Sequence, residues 1–217
     1  MDLDAALALD REQALRLVPV SRETRAKLEL YVGLLVRWQK IKNLIGPQTL
    51  PVIWTRHIAD SAQVAAFVPE TARIFVDIGS GAGFPGLVLA VMLSDRPGFQ
   101  AHLIESNGRK AAFLREVARA LALPVSIHDV RVEDARPRLP EVIDVLTARA
   151  LAPLSDLLVM QQKLTQNPCR MLFLKGQDID AELTEAAKYW NIESRIAPSL
   201  TDPTGRILIV ERATPKA

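Results

Sequence analysis

Gly79, Gly81, Gly83 and Gly86 fall within eight residues, directly after an apolar run from Ile74 to Ile78 that only Asp77 interrupts. Leu87 to Leu93 is apolar again. The order predicts a strand, a tight glycine bend and a helix. Glycine has no Cβ, so backbone there can enter left-handed geometry and touch a ligand directly. The start of the following helix adds free N–H groups and a positive dipole end. Two ligands compete for such a bend. Gly81-x-Gly83-x-x-Gly86 has the dinucleotide spacing, with Glu105 roughly 20 residues further on as a ribose-binding acid. Asp77-x-Gly79-x-Gly81-x-Gly83 is the better frame for S-adenosylmethionine (SAM). A carboxylate two residues before the first glycine attracts an ammonium group and repels a pyrophosphate.

Further polar residues stand where later strands should end. Glu105 can accept two hydrogen bonds from a ribose diol. Glu133, or the backbone near Val132, can meet an adenine. Arg149 follows an apolar run and can clamp a carboxylate with two parallel bonds. Lys175-Gly176 closes another apolar run. Upstream, Ser21 to His57 holds seven basic side chains, Arg22, Arg25, Lys27, Arg37, Lys40, Lys42 and Arg56, opposed only by Glu23 and Glu29. With Trp38, Trp54 and Asn43 close by, this patch can hold RNA phosphates and stack or bond a base. The three histidines and Cys169 lack metal-ligand spacing. Cys169, after Pro168, reads as a packed small hydrophobe, and no Ser-His-Asp arrangement with a nucleophile turn is present.

These residues need a scaffold. Strands are predicted at 73–78, 101–105, 125–128, 142–147, 170–175, 192–196 and 206–211, and helices at 85–93, 107–121, 153–164 and 179–189. Alternation of the two implies a parallel sheet covered on both faces. The last two strands are joined by a short segment with Pro198, Pro203 and Gly205, which predicts an antiparallel pair. Residues 1–18 read as one helix or two short ones. Ser21 caps a helix running to about Lys42, with Leu28, Tyr31, Leu34, Leu35, Trp38 and Ile41 on one face. Pro47 and Pro51 break the chain before a helix over 52–67. The fold class is therefore α/β, a seven-stranded, mostly parallel Rossmann-like sheet with an antiparallel last strand, as in class I SAM-dependent methyltransferases. Residues 1–70 form an N-terminal helical extension that contacts RNA, and 71–217 form the SAM-binding domain.

Composition sets the outer bounds. The 217 residues suffice for one α/β domain with a modest extension, and a 49% hydrophobic content supports a sizeable core. The net charge of +2 announces no nucleic-acid partner, so any such signal is local. A single cysteine allows no intrachain disulfide and fits a reducing cytoplasm. The acidic start, Met1-Asp2-Leu3-Asp4, lacks a signal peptide's basic opening, and no apolar run reaches membrane-spanning length.

Taken together, the motifs resemble one family, the bacterial 16S ribosomal RNA methyltransferase G family, also called glucose-inhibited division protein B. The resemblance rests on W-Q-K-I-K-N-L at 38–44, R-H-I-A-D-S at 56–61 and D-I-G-S-G-A-G-F-P-G at 77–86. It continues with Glu105-Ser106, Lys110, Phe113-Leu114, Arg131-Val132-Glu133, T-A-R-A at 147–150 and Lys175-Gly176. It implies methyl transfer from SAM, leaving S-adenosylhomocysteine, to N7 of guanosine 527 in 16S rRNA. It also implies cofactor contacts at Gly79, Phe84, Val132, Glu133 and Arg149, beside Asp77, Gly81, Gly83 and Glu105 read from the bend. The expected partner is 16S rRNA, the 30S subunit or an assembly intermediate, met by a cytoplasmic monomer without a membrane. Gln39 and Ile45 depart from the family's usual Asn and Thr. Guanine N7 carries no proton, so no general base is needed, and Asn43, Arg56, His57, Arg149 and Lys175 are positioning candidates.

Overall fold

The structure, a computed structural model, describes residues 2–41 and 43–216. Seven strands form one sheet: β1 (Ile74–Ile78), β2 (Gln100–Ile104), β3 (Val125–His128), β4 (Val145–Arg149), β5 (Arg170–Lys175), β6 (Trp190–Pro198) and β7 (Arg206–Pro215). Their order is β3-β2-β1-β4-β5-β7-β6. The pairs β1–β2, β1–β4, β2–β3 and β4–β5 are parallel, whereas β7 runs antiparallel to both β5 and β6. The expected doubly wound sheet with one reversed strand is therefore present. Strand order switches direction between β1 and β4, and a crevice opens at the carboxyl ends there.

Helices cover both faces: α1 (Leu3–Leu17), α2 (Arg22–Gln39), a single turn α3 (Asp60–Ala62), α4 (Gly86–Leu93), α5 (Gly108–Ala120), α6 (Leu154–Leu164) and α7 (Ile179–Ala186). Side-chain alternation along the strands sorts the core into two halves. Phe75, Ala101 and Leu103 face α2, α4 and α5, while Val76, Ile78 and Ile104 face α6 and α7. Ser21 caps α2 by accepting the Thr24 N–H, and Leu28, Tyr31, Leu34 and Leu35 bury its inner face. The N-terminal helices share one continuous core with α4, α5 and the sheet.

Four expectations need correction. The helix α2 stops at Gln39, so Ile41 lies outside it and is 77% exposed rather than packed, and Lys42 lies outside the described residues. The reason is Gln39 itself. Its amide donates to the Ile45 carbonyl at 2.8 Å and its oxygen accepts the N–H groups of Leu44 and Ile45, folding the chain back. No regular α-helix fills 52–67. A 3-10 stretch, Pro47–Val52, contains both prolines, followed by a π-helical turn (Trp54–Ala59), α3 and a second 3-10 turn (Gln63–Phe67). Asp10 of α1 accepts the Trp54 and Thr55 N–H groups and so restarts the helix there.

The fourth strand begins at Val145 rather than at 142 and runs on to Arg149. Asp144 is diverted to accept the Arg73 and Ile74 N–H groups, both at 2.7 Å, and Val142 is exposed. Finally, the tryptophans expected beside RNA are packed. Trp54 is 3% exposed, and Trp38 lies edge-on to Phe113 with its N–H on Glu116 at 3.0 Å. Trp54 thus offers no face to a base, and the half-buried Trp38 is held against α5.

Candidate active site

The bend after β1 is left-handed at three glycines, with φ of +67° at Gly79, +58° at Gly81 and +99° at Gly83. These angles explain the glycines, because a side chain is strained in that region. Their surroundings differ. A Cβ on Gly83 would lie 2.6 Å from both Leu87 and the Tyr31 hydroxyl, so that glycine is needed for packing. A Cβ on Gly79 would meet the Leu151 side chain at 2.6 Å. Gly81 has only the Gly79 carbonyl at 3.9 Å and otherwise faces open space. Direct approach of a ligand to backbone is therefore possible at Gly81.

Two strand ends meet at this bend. Glu105, just after β2, accepts the Gly81 N–H on Oε2 and the Asn107 N–H on Oε1, each at 2.7 Å. The Ser80 N–H adds a bond to the Ile104 carbonyl at 3.1 Å. Behind the bend, Asp77 is fully buried. Thr147 donates to its Oδ1 at 2.6 Å, and Oδ2 has no hydrogen-bond partner among the described residues. Burial pushes the Asp77 carboxyl up to about 6, opposed by the hydrogen bond from Thr147. A Cβ on Gly86 would stand 2.6 Å from Asp77 Oδ2, so glycine at the first turn of α4 lets the helix start over this carboxylate.

Phe84 connects the bend to a second cluster. Its ring stacks on His57 at 4.8 Å and on Tyr31 at 5.6 Å, and the Arg149 guanidinium carbon lies 5.2 Å from its centroid. Tyr31 also donates its hydroxyl to the Ala82 carbonyl, tying α2 to the bend. Arg149, at the end of β4, donates to Asp60 and to the Arg56 carbonyl, both at 3.1 Å, and to His57 Nδ1. An arginine is always a donor, so His57 Nδ1 accepts and Nε2–H donates to Thr49 Oγ1 at 3.0 Å. Burial, with the charges of Arg149 and Arg56, holds the imidazole down to about 3. His57 is thus a neutral, oriented ring with both nitrogens engaged.

A cleft of about 740 Å³ opens beside this cluster, over the ends of β4 and β5. Arg56, His57, Arg149, Leu151, Lys175 and Arg206 stand on its walls. Lys175 donates to the Ala152 carbonyl at 2.8 Å and to Glu182 at 2.7 Å, and Arg56 pairs with Asp202 at 2.7 Å. Leu151 both lines the cleft and covers Gly79, so it sits where the two regions join. Val132 and Glu133 occupy a one-turn 3-10 helix after β3, Val132 half-buried and Glu133 exposed. Asn43 lies apart from the cleft, exposed at a smaller groove between the end of α2 and the start of α5.

The structure therefore gathers Gly81 with Glu105, and separately Phe84, Arg56, His57, Arg149 and Lys175. Sequence reasoning assigns no role to Asp60, Tyr31, Leu151 or Asp202. Asp60 stands close to Arg56 and His57 in the chain, yet its charged partner is Arg149, 89 residues away, at 3.1 Å. Nothing local to Asp202 marks it, because its partner Arg56 is 146 residues away. Cys169 is buried, and its thiol is pushed up to about 12 by that burial, as suits a packed, unreactive side chain.

Residues 24–206 match the family described as rRNA small subunit methyltransferase G. A curated relative, the ribosomal RNA small subunit methyltransferase G of Nitrobacter winogradskyi, is 52% identical over 200 residues, which is 92% of this chain and 72% of that one. Its counterpart in Bradyrhizobium sp. (strain ORS 278) is 48% identical over 205 residues, 94% of this chain and 92% of that one. Among solved structures, a SAM dependent methyltransferase from Aquifex aeolicus aligns with a TM-score of 0.56 at 16% identity, over 79% of this chain and 96% of that one. An O-methyltransferase from Bacillus cereus in complex with SAH aligns with a TM-score of 0.58 at 14% identity, over 97% and 100%. At such identities these structures share the fold.

Proposed function

The chain belongs to the rRNA small subunit methyltransferase G family, and we propose that it moves the methyl group of SAM to N7 of guanosine 527 in 16S rRNA. The observation that carries this reading is the open backbone at Gly81, clasped to Glu105 at the strand-order switch and flanked by a large cleft lined by four cations and three acids. The residues present fit the cofactor. Gly81 offers backbone for close approach, with Gly79 beside it under Leu151, Glu105 offers carboxylate lone pairs for a ribose diol, and Val132 with Glu133 would rim the adenine side. Bound SAM supplies an electrophilic methyl on a sulfonium.

The chain's own contribution is alignment and charge. Guanine N7 presents a lone pair without a proton, so the cleft has no base to provide, and His57 is held neutral with both nitrogens occupied. Holding two reactants in line can contribute roughly 7–11 kcal/mol. Asp60, Asp202 and Glu182 along the cleft oppose the positive charge that the base acquires. Arg206, in no ion pair among the described residues, and the half-exposed Arg56 supply donors for guanine O6 and nearby phosphates. Arg149 and Lys175 are held by Asp60 and Glu182. Asn43 is placed to contact RNA outside the cleft. The protein acts as a monomer, in the cytoplasm where ribosomes mature, on the 30S subunit or an assembly intermediate. Among the described residues no helix is long and apolar enough to cross a membrane.

Incubation of 30S subunits and of free 16S rRNA with methyl-labelled SAM tests the assignment. Borohydride and aniline cleavage followed by primer extension should stop at guanosine 527 alone. Label on protein or a small metabolite, never on RNA, overturns the reading.

A further inference from the structure

The smaller groove between the end of α2 and the start of α5 has no part in the methyl-transfer geometry. It encloses about 400 Å³ and is lined by Lys40, Arg109 and Lys110, with Gln39, Asn43 and Asn107. No acidic side chain is among its lining residues, and none of the three cations is in an ion pair among the described residues. Acids close by are already engaged. Glu116 accepts from Trp38, and Asp129 faces Arg115 at 3.8 Å. Elsewhere on the basic N-terminal stretch Arg25 meets Glu29, Lys27 lies 4.0 Å from Asp95 and Arg56 meets Asp202, while Arg22 and Arg37 are exposed on α2 outside the groove. In this concavity Lys40, at the end of α2, joins Arg109 and Lys110 of α5, so three cations face one recess with no acid on its lining.

The groove is also built rather than incidental. The Gln39 amide locks the Leu44–Ile45 turn that forms one wall. Asn107 forms the other, its Oδ1 accepting the Arg109 and Lys110 N–H groups. Those backbone donors are already bonded, so the groove's attraction for an anion lies in its side chains. Asn43 is exposed, and Ile41 at 77% exposure offers an apolar surface beside the cations. Cations, an amide and an exposed apolar side chain together suit an unpaired nucleotide strand, whose phosphates take the charges and whose bases take the rest. Position supports the match. Asn107 donates its N–H to Glu105, which clasps Gly81, so the groove ends beside the glycine bend.

We infer that this α2–α5 groove is a second RNA-holding site, in which Lys40, Arg109 and Lys110 grip backbone phosphates of a single-stranded segment next to the modified guanosine. The inference rests on the rRNA reading above and adds a path across α5 that the charge count of the N-terminal stretch does not include.

Charge reversal tests it. Filter binding of 16S rRNA across a salt series compares the wild type with Arg109→Glu/Lys110→Glu, the neutral Arg109→Gln/Lys110→Gln and the charge-keeping Arg109→Lys/Lys110→Arg. SAM affinity by calorimetry reports folding. The first two variants should keep wild-type SAM affinity and bind rRNA at least tenfold more weakly. They should also lower the slope of log K against log salt by about 1.4, at ~0.7 for each phosphate left without its cation. The third should bind like the wild type. Unchanged rRNA affinity and slope in the charge-reversed protein overturn the groove while leaving the methyltransferase assignment intact. Absence of rRNA binding by the wild type itself would instead fail the underlying assignment.

Discussion

Glu105 Oε2 accepts the Gly81 N–H at 2.7 Å, so the acid at the end of one strand holds the glycine bend at the end of its neighbour. The same carboxylate accepts the Asn107 N–H through its other oxygen. One residue therefore shapes the backbone that a cofactor would touch and presents lone pairs to it. Replacing it should do more than delete a ligand contact.

Glu105→Gln keeps one acceptor and turns its amide N–H₂ toward the other backbone donor. Glu105→Ala leaves both N–H groups without their partner. A hydrogen bond to a charged group contributes ~1.5–3 kcal/mol. The expected loss of SAM affinity is roughly tenfold for Gln and on the order of a hundredfold for Ala, at about 1.4 kcal/mol per factor of ten. Calorimetric titration measures both. Equal affinities for Gln, Ala and wild type would show that Glu105 plays no part in the site.

The glycines separate packing from ligand approach. Gly83→Ala forces a Cβ into Leu87 and Tyr31, and Gly86→Ala forces one against Asp77, so both should destabilise the fold by ~1–3 kcal/mol. Gly81→Ala meets only the strain of its positive φ, ~1–2 kcal/mol, because the space in front is open. Its SAM affinity should nevertheless fall by at least tenfold, since the methyl occupies the approach to the backbone. Thermal denaturation paired with SAM titration resolves the two effects. A Gly81→Ala protein with normal SAM affinity would locate the cofactor elsewhere.

Much of this arrangement was legible in the chain. The glycine bend, the strand that feeds it and the parallel order with a reversed last strand follow from local apolar runs and turn residues. Three strand ends carried their polar residues as expected, Glu105, Arg149 and Lys175. The misses share a cause, which is partnership over long sequence separation. Asp10 restarts the helix at Trp54 from 44 residues away, and Asp144 shortens β4 by binding residues 70 and 71 positions earlier. Trp38 looked available for RNA because its partners, Phe113 and Glu116, stand on another helix. A periodicity count sees none of these.

Tyr31 is the direct link between the N-terminal helices and the bend. Its hydroxyl donates to the Ala82 carbonyl and its ring stacks on Phe84, which in turn carries His57. Tyr31→Phe keeps the ring and removes the donor, leaving a buried carbonyl short of a partner at a cost of ~1–3 kcal/mol. The cost should fall on the bend rather than on the helix, so SAM affinity should drop several-fold with only a modest fall in Tm. Tyr31→Leu, which also removes the stack, should lose affinity further. A Phe variant with wild-type SAM affinity would uncouple α2 from the cofactor side.

Opposed buried groups set the response to acid. His57 is held down to about 3, chiefly by burial and then by Arg149 and Arg56, and His102 is held down to about 4 by burial and His128. Below pH 6.5 the unfolded chain protonates these rings and the folded protein does not, so stability falls as pH falls. Asp77 acts in the other direction. Its carboxyl is raised to about 6 by burial, so between about 3.8 and 6 the folded protein holds a proton that the unfolded chain has released, and stability falls as pH rises. Within about pH 4–6 Asp77 cancels one histidine's share of the acid loss. Asp77→Asn removes the cancellation, and its stability should fall more steeply than that of the wild type between about pH 6 and 4, by up to ~1.4 kcal/mol per pH unit. Urea midpoints at half-unit pH steps measure the two slopes. Parallel curves across that window would mean that the Asp77 carboxyl titrates as it does in the unfolded chain, and that its burial beneath Gly86 leaves its charge unperturbed.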